Sequence, residues 1–257
     1  MDGEDRPSPK RPAISSSWYK SAFGDLYSVV YAHRTIEAAQ PEVEFAARSL
    51  ALRETDRVLD LGCGPGRHLV HLAKTCGSCV GLDYSAELLV EARSRLGAHV
   101  PLVRADMRSM PFPACFDIVA NFFTSFGYFF AEEDNVKVIR EVARVLKPGG
   151  RFFIDYMNAT HARENLEPSS VRASKGYEIR ETRWIDFALR RVNKATRVLR
   201  EGTEVESSSE SVRLYEVDEF VAMFRVAGLQ VKELYGNYAG EPCGDDQPRM
   251  IATGIRE

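Results

Sequence analysis

Residues 57–68 read Arg57-Val58-Leu59-Asp60-Leu61-Gly62-Cys63-Gly64-Pro65-Gly66-Arg67-His68, and this stretch decides the fold. Its aliphatic run, which ends at Leu61, is typical of a strand that is covered on both faces. Three glycines follow within five positions, so the backbone can turn sharply and come close to a ligand. The apolar segment 67–74 then predicts a helix whose first free N–H groups favour an anionic group. The stretch therefore predicts a strand, a glycine turn and a helix that together cradle a nucleotide.

Acidic residues follow the next two predicted strands. Asp83 ends the segment 79–83, and a carboxylate at the tip of this strand can accept hydrogen bonds from both hydroxyls of a ribose. This position alone does not separate dinucleotide-binding enzymes from other nucleotide-binding enzymes. Asp106 and the hydrophobic Met107 follow the third predicted strand, 99–104. Dinucleotide binding requires no acid there, so this segment favours a different nucleotide ligand.

Together these motifs resemble the class I S-adenosylmethionine-dependent methyltransferases. The resemblance rests on D-L-G-C-G-P-G at 60–66, on the acid at 106 and on L-K-P-G-G-R at 146–151. The strings at 23–34 and 121–129 are also similar to a bacterial group of small-molecule methyltransferases. The resemblance covers about residues 18–256 and is strongest from 58 to 153. It implies S-adenosyl-L-methionine as cofactor and methyl transfer to an N, O or C nucleophile of a small molecule, mainly by proximity and orientation.

The predicted fold is α/β, a Rossmann-like seven-stranded sheet with helices on both faces, N-terminal helices and a β-rich cap insertion. Residues 1–15 are predicted to be a disordered tail and residues 16–257 a methyltransferase domain. Within that domain we expect an N-terminal helical lid at 16–52 and an antiparallel cap at 158–211. The lid pattern indicates two helices with Pro41 near the start of the second. The cap pattern indicates two or three strands.

The resemblance implies a set of cofactor-binding residues. The glycine turn is expected to hold the methionine end, Asp83 the ribose, and Asp106 with the backbone of Met107 the adenine. The full expected set is Asp60, Gly62, Cys63, Gly64, Gly66, Arg67, Asp83, Tyr84, Asp106, Met107, Asn121, Phe122, Tyr27 and Arg34.

An aromatic loop after the fourth predicted strand is expected to border the reacting centre, because ligands of open α/β sheets bind beyond the carboxyl ends of the strands. Packing in the core is the alternative reading of the same aromatic residues. No residue is assigned as a catalytic base, and His33 and Tyr128 are the candidates to inspect. The expected substrate-binding residues are Phe123, Phe126, Tyr128, Tyr31, Arg213, Tyr215, Asn237 and Arg249.

Composition disfavours several other functions. The formal net charge of −3 gives no general attraction to nucleic acid, and the sequence 121–124 lacks the Pro-Pro pair of amine-methylating nucleic-acid enzymes. No apolar run is long enough to cross a bilayer, and no signal peptide is evident. Five cysteines fit a reducing compartment, so we expect a cytoplasmic protein without disulfides and without a metal site.

Two alternatives stay open at this level. An NAD-linked oxidoreductase would share the glycine turn and Asp83. A non-catalytic S-adenosylmethionine-binding partner subunit would share the whole cofactor site. The sequence assigns neither an oligomeric state nor the identity of the methyl acceptor.

Overall fold

The computed structural model describes residues 11–257, so residues 1–10 of the predicted tail lie outside the described part of the chain. Residues 11–15 have no regular secondary structure, and a short 3-10 helix follows at Trp18–Lys20. The helices are α1 (Tyr27–Val30), α2 (Ile36–Ser49), α3 (Leu69–Thr75), α4 (Ala86–Leu96), α5 (Glu132–Val145), α6 (Ala159–Glu164) and α7 (Val217–Val226). The strands are β1 (Arg57–Leu61), β2 (Ser78–Asp83), β3 (Leu102–Arg104), β4 (Phe116–Asn121), β5 (Leu146–Met157), β6 (Ser169–Ser174), β7 (Tyr177–Asp186), β8 (Arg191–Arg200), β9 (Thr203–Arg213), β10 (Leu229–Tyr235) and β11 (Arg249–Arg256).

A seven-stranded sheet in the order β10-β11-β5-β4-β1-β2-β3 forms the centre of the protein. Strands β1 to β5 pair in parallel, whereas β11 runs antiparallel to both β5 and β10. β1 lies inside the sheet, between β4 and β2, where its buried residues from Val58 to Leu61 can be covered on both faces. The predicted α/β fold with a seven-stranded sheet is confirmed.

Two hydrophobic clusters cover the two faces of this sheet. One contains the apolar stripe of α5, spaced at Val138, Ile139 and Val142, together with α7. The other contains buried residues of α2, α3 and α4. Because helices pack on both faces, the carboxyl ends of the parallel strands stay free to hold the ligand.

A separate antiparallel sheet, β6-β7-β8-β9, forms the cap. Its first and last hairpins turn at pairs with positive φ, Lys175-Gly176 and Glu201-Gly202, as expected of tight two-residue turns that match the twist of the strands. The cap has four strands and not the predicted two or three, because β6 has little apolar alternation of its own and is placed by pairing with β7.

Three local predictions are corrected by the structure. The first lid helix, α1, has only four residues, because a 3-10 helix and turns precede it. Pro41 lies inside α2 and not at its start, since Thr35 caps the helix by accepting from the Ala38 N–H at 3.2 Å. α3 begins at Leu69, later than the expected Arg67.

No helix within residues 11–257 combines the length and apolar character needed to span a bilayer.

Candidate active site

Two cavities meet at the carboxyl ends of β1, β2 and β4. The smaller one, of about 90 Å³, is called the Asp83 cavity and is also bordered by Tyr84, Asp106 and Met107. The larger one, of about 260 Å³, is called the Glu210 cavity and extends from the glycine turn to the cap. Both are lined by Phe23, Tyr27, Gly62, Gly64, Ser125 and Tyr128, which therefore mark their junction.

The glycine turn lies at this junction in a conformation that depends on its glycines. Gly62 has φ of 74°, and a Cβ there would come within 2.8 Å of the Cβ of Ser125. The N–H groups of Gly62 and Cys63 both donate to the Leu82 carbonyl, at 2.8 and 3.0 Å. These N–H groups therefore fix the turn to β2 and are not free to bind a ligand.

Asp83 joins the turn to the strand tip. Its Oδ2 accepts from the Gly64 N–H at 2.8 Å and its Oδ1 from the Ser85 N–H at 2.9 Å. Burial raises the pKa of Asp83, and the hydrogen bonds from Ser85 and Gly64 oppose that rise. Its remaining lone pairs face the cavity, where they suit the two hydroxyls of a ribose.

Asp106 lies on the far side of the same cavity. Arg108 donates to it through Nε at 3.0 Å and through a terminal nitrogen at 2.6 Å, and also contacts Asp134 at 2.7 Å. Burial would raise the pKa of Asp106, but the hydrogen bonds from Arg108 outweigh it and hold this pKa low. A carboxylate offers about four lone-pair sites, so Asp106 can be paired with Arg108 and still accept a hydrogen bond from an adenine amine.

Aromatic rings complete the Asp83 cavity. Tyr19 packs edge-on against Tyr84 and Phe129, with ring centroids 5.8 and 5.2 Å apart. An apolar slot with a carboxylate at each end fits an adenosine moiety, and Tyr84 and Met107 lie where the expected set placed them, on its wall. The two carboxylates and the apolar walls of this cavity thus fit the nucleoside of S-adenosylmethionine.

Arg34 and Arg67 supply positive charge to the Glu210 cavity. Both stack on Phe123, with the guanidinium carbons 4.0 and 5.6 Å from the ring centroid. Arg67 is only 8% exposed, and burial lowers its pKa. Within residues 11–257 neither guanidinium has a carboxylate at salt-bridge distance, so both can receive an anionic group of the ligand.

The backbone of Phe123 and Thr124 is strained. Their φ values are 59° and 62°, in the left-handed region that non-glycine residues rarely occupy. The fully buried Asp155 holds them by accepting from the Phe123 N–H at 2.7 Å through Oδ2 and from the Thr124 N–H at 2.9 Å through its carbonyl. Arg249 donates to Asp155 and, at 2.9 Å, to the Thr124 hydroxyl. This support directs the Phe123 ring towards the cavity.

The cap closes the Glu210 cavity from the opposite side. Lys194 and Glu210 are direct cross-strand neighbours on β8 and β9, and Arg183 is opposite Lys194 on β7. The Lys194 Nζ lies 2.7 Å from Glu210 Oε1, and the Tyr31 hydroxyl donates to the same oxygen. The lid and the cap therefore meet through a charged hydrogen-bonded group.

Most of the expected site residues line one of the two cavities. Tyr27, Tyr31, Arg34, Cys63, Arg67, Phe122, Phe123, Tyr128 and Arg249 border the Glu210 cavity, and Asp83, Tyr84, Asp106 and Met107 border the Asp83 cavity.

Three of the expected cofactor residues lie behind the cavity walls. Asp60 is 1% exposed, and Asn121 donates to the Leu61 carbonyl at 2.6 Å beneath the glycine turn. A Cβ on Gly66 would meet Ala92 and Leu96 within 3.3 Å, so this glycine serves helix packing. These residues shape the turn and do not face the cavities.

The remaining expected residues line neither cavity. Phe126 and Tyr215 belong to the core, because their rings stack on one another and both pack at a tilt against Phe220. Arg213 donates to backbone carbonyls outside the cavities, and Asn237 contacts Glu241 and Gln247 in a surface turn. His33 is exposed and borders neither cavity; burial of its unexposed part and the nearby Arg34 lower its pKa.

Sequence reasoning missed several groups at the site. His68 stacks on Phe122 with centroids 4.3 Å apart and contacts Glu42 at 2.6 Å. Arg191, which is 2% exposed, donates to the carbonyls of Tyr128 and Phe129 at 2.9 Å and fixes the aromatic loop. Strand alternation indicates which cap residues share a face, but not which face meets the sheet. Further lining residues that no prediction had assigned to the site include Tyr19, Ser85, Met157, Arg183, Asn193, Lys194 and Glu210.

The amino-acid sequence is similar to those of known methyltransferases. A family model described as a methyltransferase domain matches residues 58–150. The cypemycin N-terminal methyltransferase of a Streptomyces species is 31% identical over 204 residues, which are 78% of this chain and 83% of that protein. The dTDP-3-amino-3,4,6-trideoxy-alpha-D-glucopyranose N,N-dimethyltransferase of Streptomyces venezuelae is 29% identical over 236 residues, 86% of this chain and 96% of that protein.

The fold also has a close counterpart among solved structures. The CcbJ methyltransferase from Streptomyces caelestis superposes with a TM-score of 0.76 at 20% identity, covering 91% of this chain and 98% of that one. These matches do not support the two alternative functions, an NAD-linked oxidoreductase and a non-catalytic S-adenosylmethionine-binding partner subunit. The chain belongs to the S-adenosylmethionine-dependent methyltransferases and is an enzyme of that family.

Proposed function

We propose that this enzyme transfers a methyl group from S-adenosylmethionine to an amine nitrogen of a small molecule. The observation that carries the proposal is the junction of the two cavities, where Tyr27 and Tyr128 border both the nucleoside-shaped slot and the larger chamber. The two sequence relatives support this choice: one is named a cypemycin N-terminal methyltransferase, and the other an N,N-dimethyltransferase of a dTDP-linked amino sugar.

The assignment of the cofactor roles is part of this proposal. Asp83 would accept from the ribose hydroxyls, and Asp106 with the Met107 backbone would hold the adenine. The methionine carboxylate would lie against the half-buried Arg34 and the buried Arg67, neither of which has a carboxylate partner within residues 11–257. The cofactor supplies an electrophilic methyl group on a sulfonium, which is a good leaving group. The protein then needs chiefly to position the acceptor and exclude water.

The chain's own groups favour an acceptor that arrives with its lone pair available. Burial, followed by the charge of Glu210, raises the pKa of Tyr128, so its hydroxyl stays protonated and does not act as a base. Burial likewise raises the pKa of Tyr31 and of Tyr27. During transfer the N–C bond forms as the S–C bond breaks, and the nitrogen afterwards loses its proton to solvent or to Glu210.

A paired set of acceptors tests the proposal. The enzyme with S-adenosylmethionine is given an amino sugar nucleotide, a short peptide with a free N-terminus, and the hydroxyl analogue of each. Methyl transfer is read by release of S-adenosylhomocysteine and by the mass of the product. We expect turnover with an amine acceptor and none with its hydroxyl analogue. Turnover confined to the hydroxyl compounds would overturn the nitrogen assignment, and Asp83→Ala serves as the cofactor-binding control.

A further inference from the structure

We propose that the guanidinium groups around Phe123 form an anion subsite in the Glu210 cavity, and that the methyl acceptor carries a carboxylate or phosphate group which binds there. The enzyme would then select its amine by an anionic group on the same molecule. This inference rests on the proposed function and defines its substrate class more closely.

Three guanidinium groups converge on the ring of Phe123. The guanidinium carbons of Arg34, Arg249 and Arg67 lie 4.0, 5.4 and 5.6 Å from the ring centroid, and all three side chains line the Glu210 cavity. Asp155 pairs with Arg249 at 2.6 Å and leaves the other two charges uncompensated. Like charges that are held this close repel one another unless an anion lies between them.

The hydrogen-bond donors of these arginines are largely unused. Within residues 11–257 the guanidinium of Arg34 makes no hydrogen bond or salt bridge, so its five N–H groups are free. Arg249 contacts Asp155 and Thr124 through Nε and one terminal nitrogen, which leaves the donors of its other terminal nitrogen. A methionine carboxylate occupies only part of this donor set, so a second anion can be held beside it.

The cap adds positive charge on the opposite wall. Two acids, Glu181 and Glu210, lie there, and both are already paired. Glu210 lies 2.7 Å from the Nζ of Lys194, and Glu181 contacts Arg172 at 2.6 Å and also pairs with Arg183. Three cations thus share two carboxylates, and the cap is left with an excess of one positive charge.

The sheet side has an excess as well. Two acids, Asp155 and Glu42, lie near the three arginines, and Glu42 contacts His68 at 2.6 Å. Burial lowers the pKa of His68, so its ring is neutral at neutral pH and adds no charge. S-adenosylmethionine increases the excess, because its carboxylate and ammonium cancel and its sulfonium charge remains. The cavity therefore favours an acceptor with an anionic group over a neutral or cationic one.

The same excess keeps the acceptor nitrogen reactive. Positive charge around an ammonium lowers its pKa, because it disfavours the charged form. An amine beside Tyr27 and Tyr128, at the junction of the two cavities, is therefore favoured as the free base, with its lone pair available to the methyl group. The anionic group supplies the affinity that an ammonium cannot supply here.

The test uses inorganic phosphate and acetate as probes, with acetamide as the neutral counterpart of acetate. Binding is measured by NMR titration at constant ionic strength, with each protein saturated with S-adenosylhomocysteine. We expect an anion to bind and acetamide not to bind; the stronger of the two anions identifies phosphate or carboxylate as the group. Arg34→Gln should weaken anion binding by about tenfold, and Arg34→Lys should lose less. Arg140→Gln is the matched control, since Arg140 is exposed on α5 and lines neither cavity.

Glu210→Gln gives a change of the opposite sign, which damage to the fold would not produce. It removes the one acid among the described residues that line the Glu210 cavity. Loss of this negative charge should tighten anion binding by about threefold or more. During turnover, phosphate should inhibit in competition with the amine acceptor and not with S-adenosylmethionine.

Equal affinity of the wild type and Arg34→Gln for both anions would overturn the subsite, and so would weaker anion binding to Glu210→Gln. The proposed function fails separately, when S-adenosylhomocysteine binds and no amine is methylated. In that case anion binding that Arg34→Gln weakens and Glu210→Gln strengthens would still support the subsite.

Discussion

Asp155 and Arg249 lie on adjacent antiparallel strands, and Arg249 Nε donates to Asp155 Oδ1 at 2.6 Å next to the strained backbone of Phe123. Asp155 is fully buried, so the pair gains from low screening but loses the hydration of both charges. The pair holds two consecutive left-handed residues, Phe123 and Thr124, at the edge of the Glu210 cavity.

A double-mutant cycle measures this coupling. Asp155→Asn and Arg249→Met should each lower the free energy of unfolding by about 3 kcal/mol, because each leaves a buried charge without its partner. The double variant should lose less than the sum, as measured by urea denaturation. Strictly additive losses would contradict the pair as a structural unit. We also expect the single variants to raise the acceptor KM more than they change the affinity for S-adenosylhomocysteine.

Asp83→Ala should weaken the binding of S-adenosylmethionine by about tenfold to a hundredfold, or about 1.5 to 3 kcal/mol. The variant loses an acceptor for the ribose and also leaves the Gly64 and Ser85 N–H groups without theirs. Calorimetry checks the affinity. Asp83→Asn retains one acceptor oxygen and should show a smaller loss. Unchanged affinity in Asp83→Ala would remove Asp83 from the cofactor site.

Phe126 and Phe123 are close in sequence but should respond differently to truncation. Phe126 is 1% exposed in the core, so Phe126→Ala should lower the free energy of unfolding by about 3 to 5 kcal/mol. Phe123 faces the cavity, so Phe123→Ala should cost less stability and should mainly raise the acceptor KM. Thermal unfolding and steady-state kinetics of the two variants separate these effects; the reverse pattern would contradict the placement of the loop.

Asp60 should make the ligand-free protein less stable as the pH rises. Burial, and then the charge of Asp83, raise the pKa of Asp60 from 3.8 to about 7. Stability from a group with a raised folded pKa is fully present below its unfolded pKa and is lost as the pH rises through the folded pKa.

Between about pH 4 and pH 7, the free energy of unfolding of the wild type should fall relative to that of Asp60→Asn, by on the order of a few kcal/mol. Urea midpoints of both proteins across this range provide the measurement. Parallel pH profiles for the two proteins would show that Asp60 titrates normally in the folded state.

The central sheet and the motifs at its edge can be predicted from the amino-acid sequence alone. The buried strand from Val58 to Leu61, the glycine turn after it and the acids at 83 and 106 are local signals, because strand ends and tight turns depend on the residues that form them. Since the carboxyl ends of parallel strands meet at one edge, these signals were sufficient to bring the cofactor residues together in the prediction.

Which residues border the Glu210 cavity depends on the tertiary structure. Tyr31, Lys194 and Glu210 come from the lid and two cap strands, and no local pattern shows that these elements meet. Arg213 and Glu210 lie on the same strand, yet one binds backbone outside the cavity and the other faces into it. Side chains alternate along a strand, so the face that meets the ligand depends on how the cap packs against the sheet.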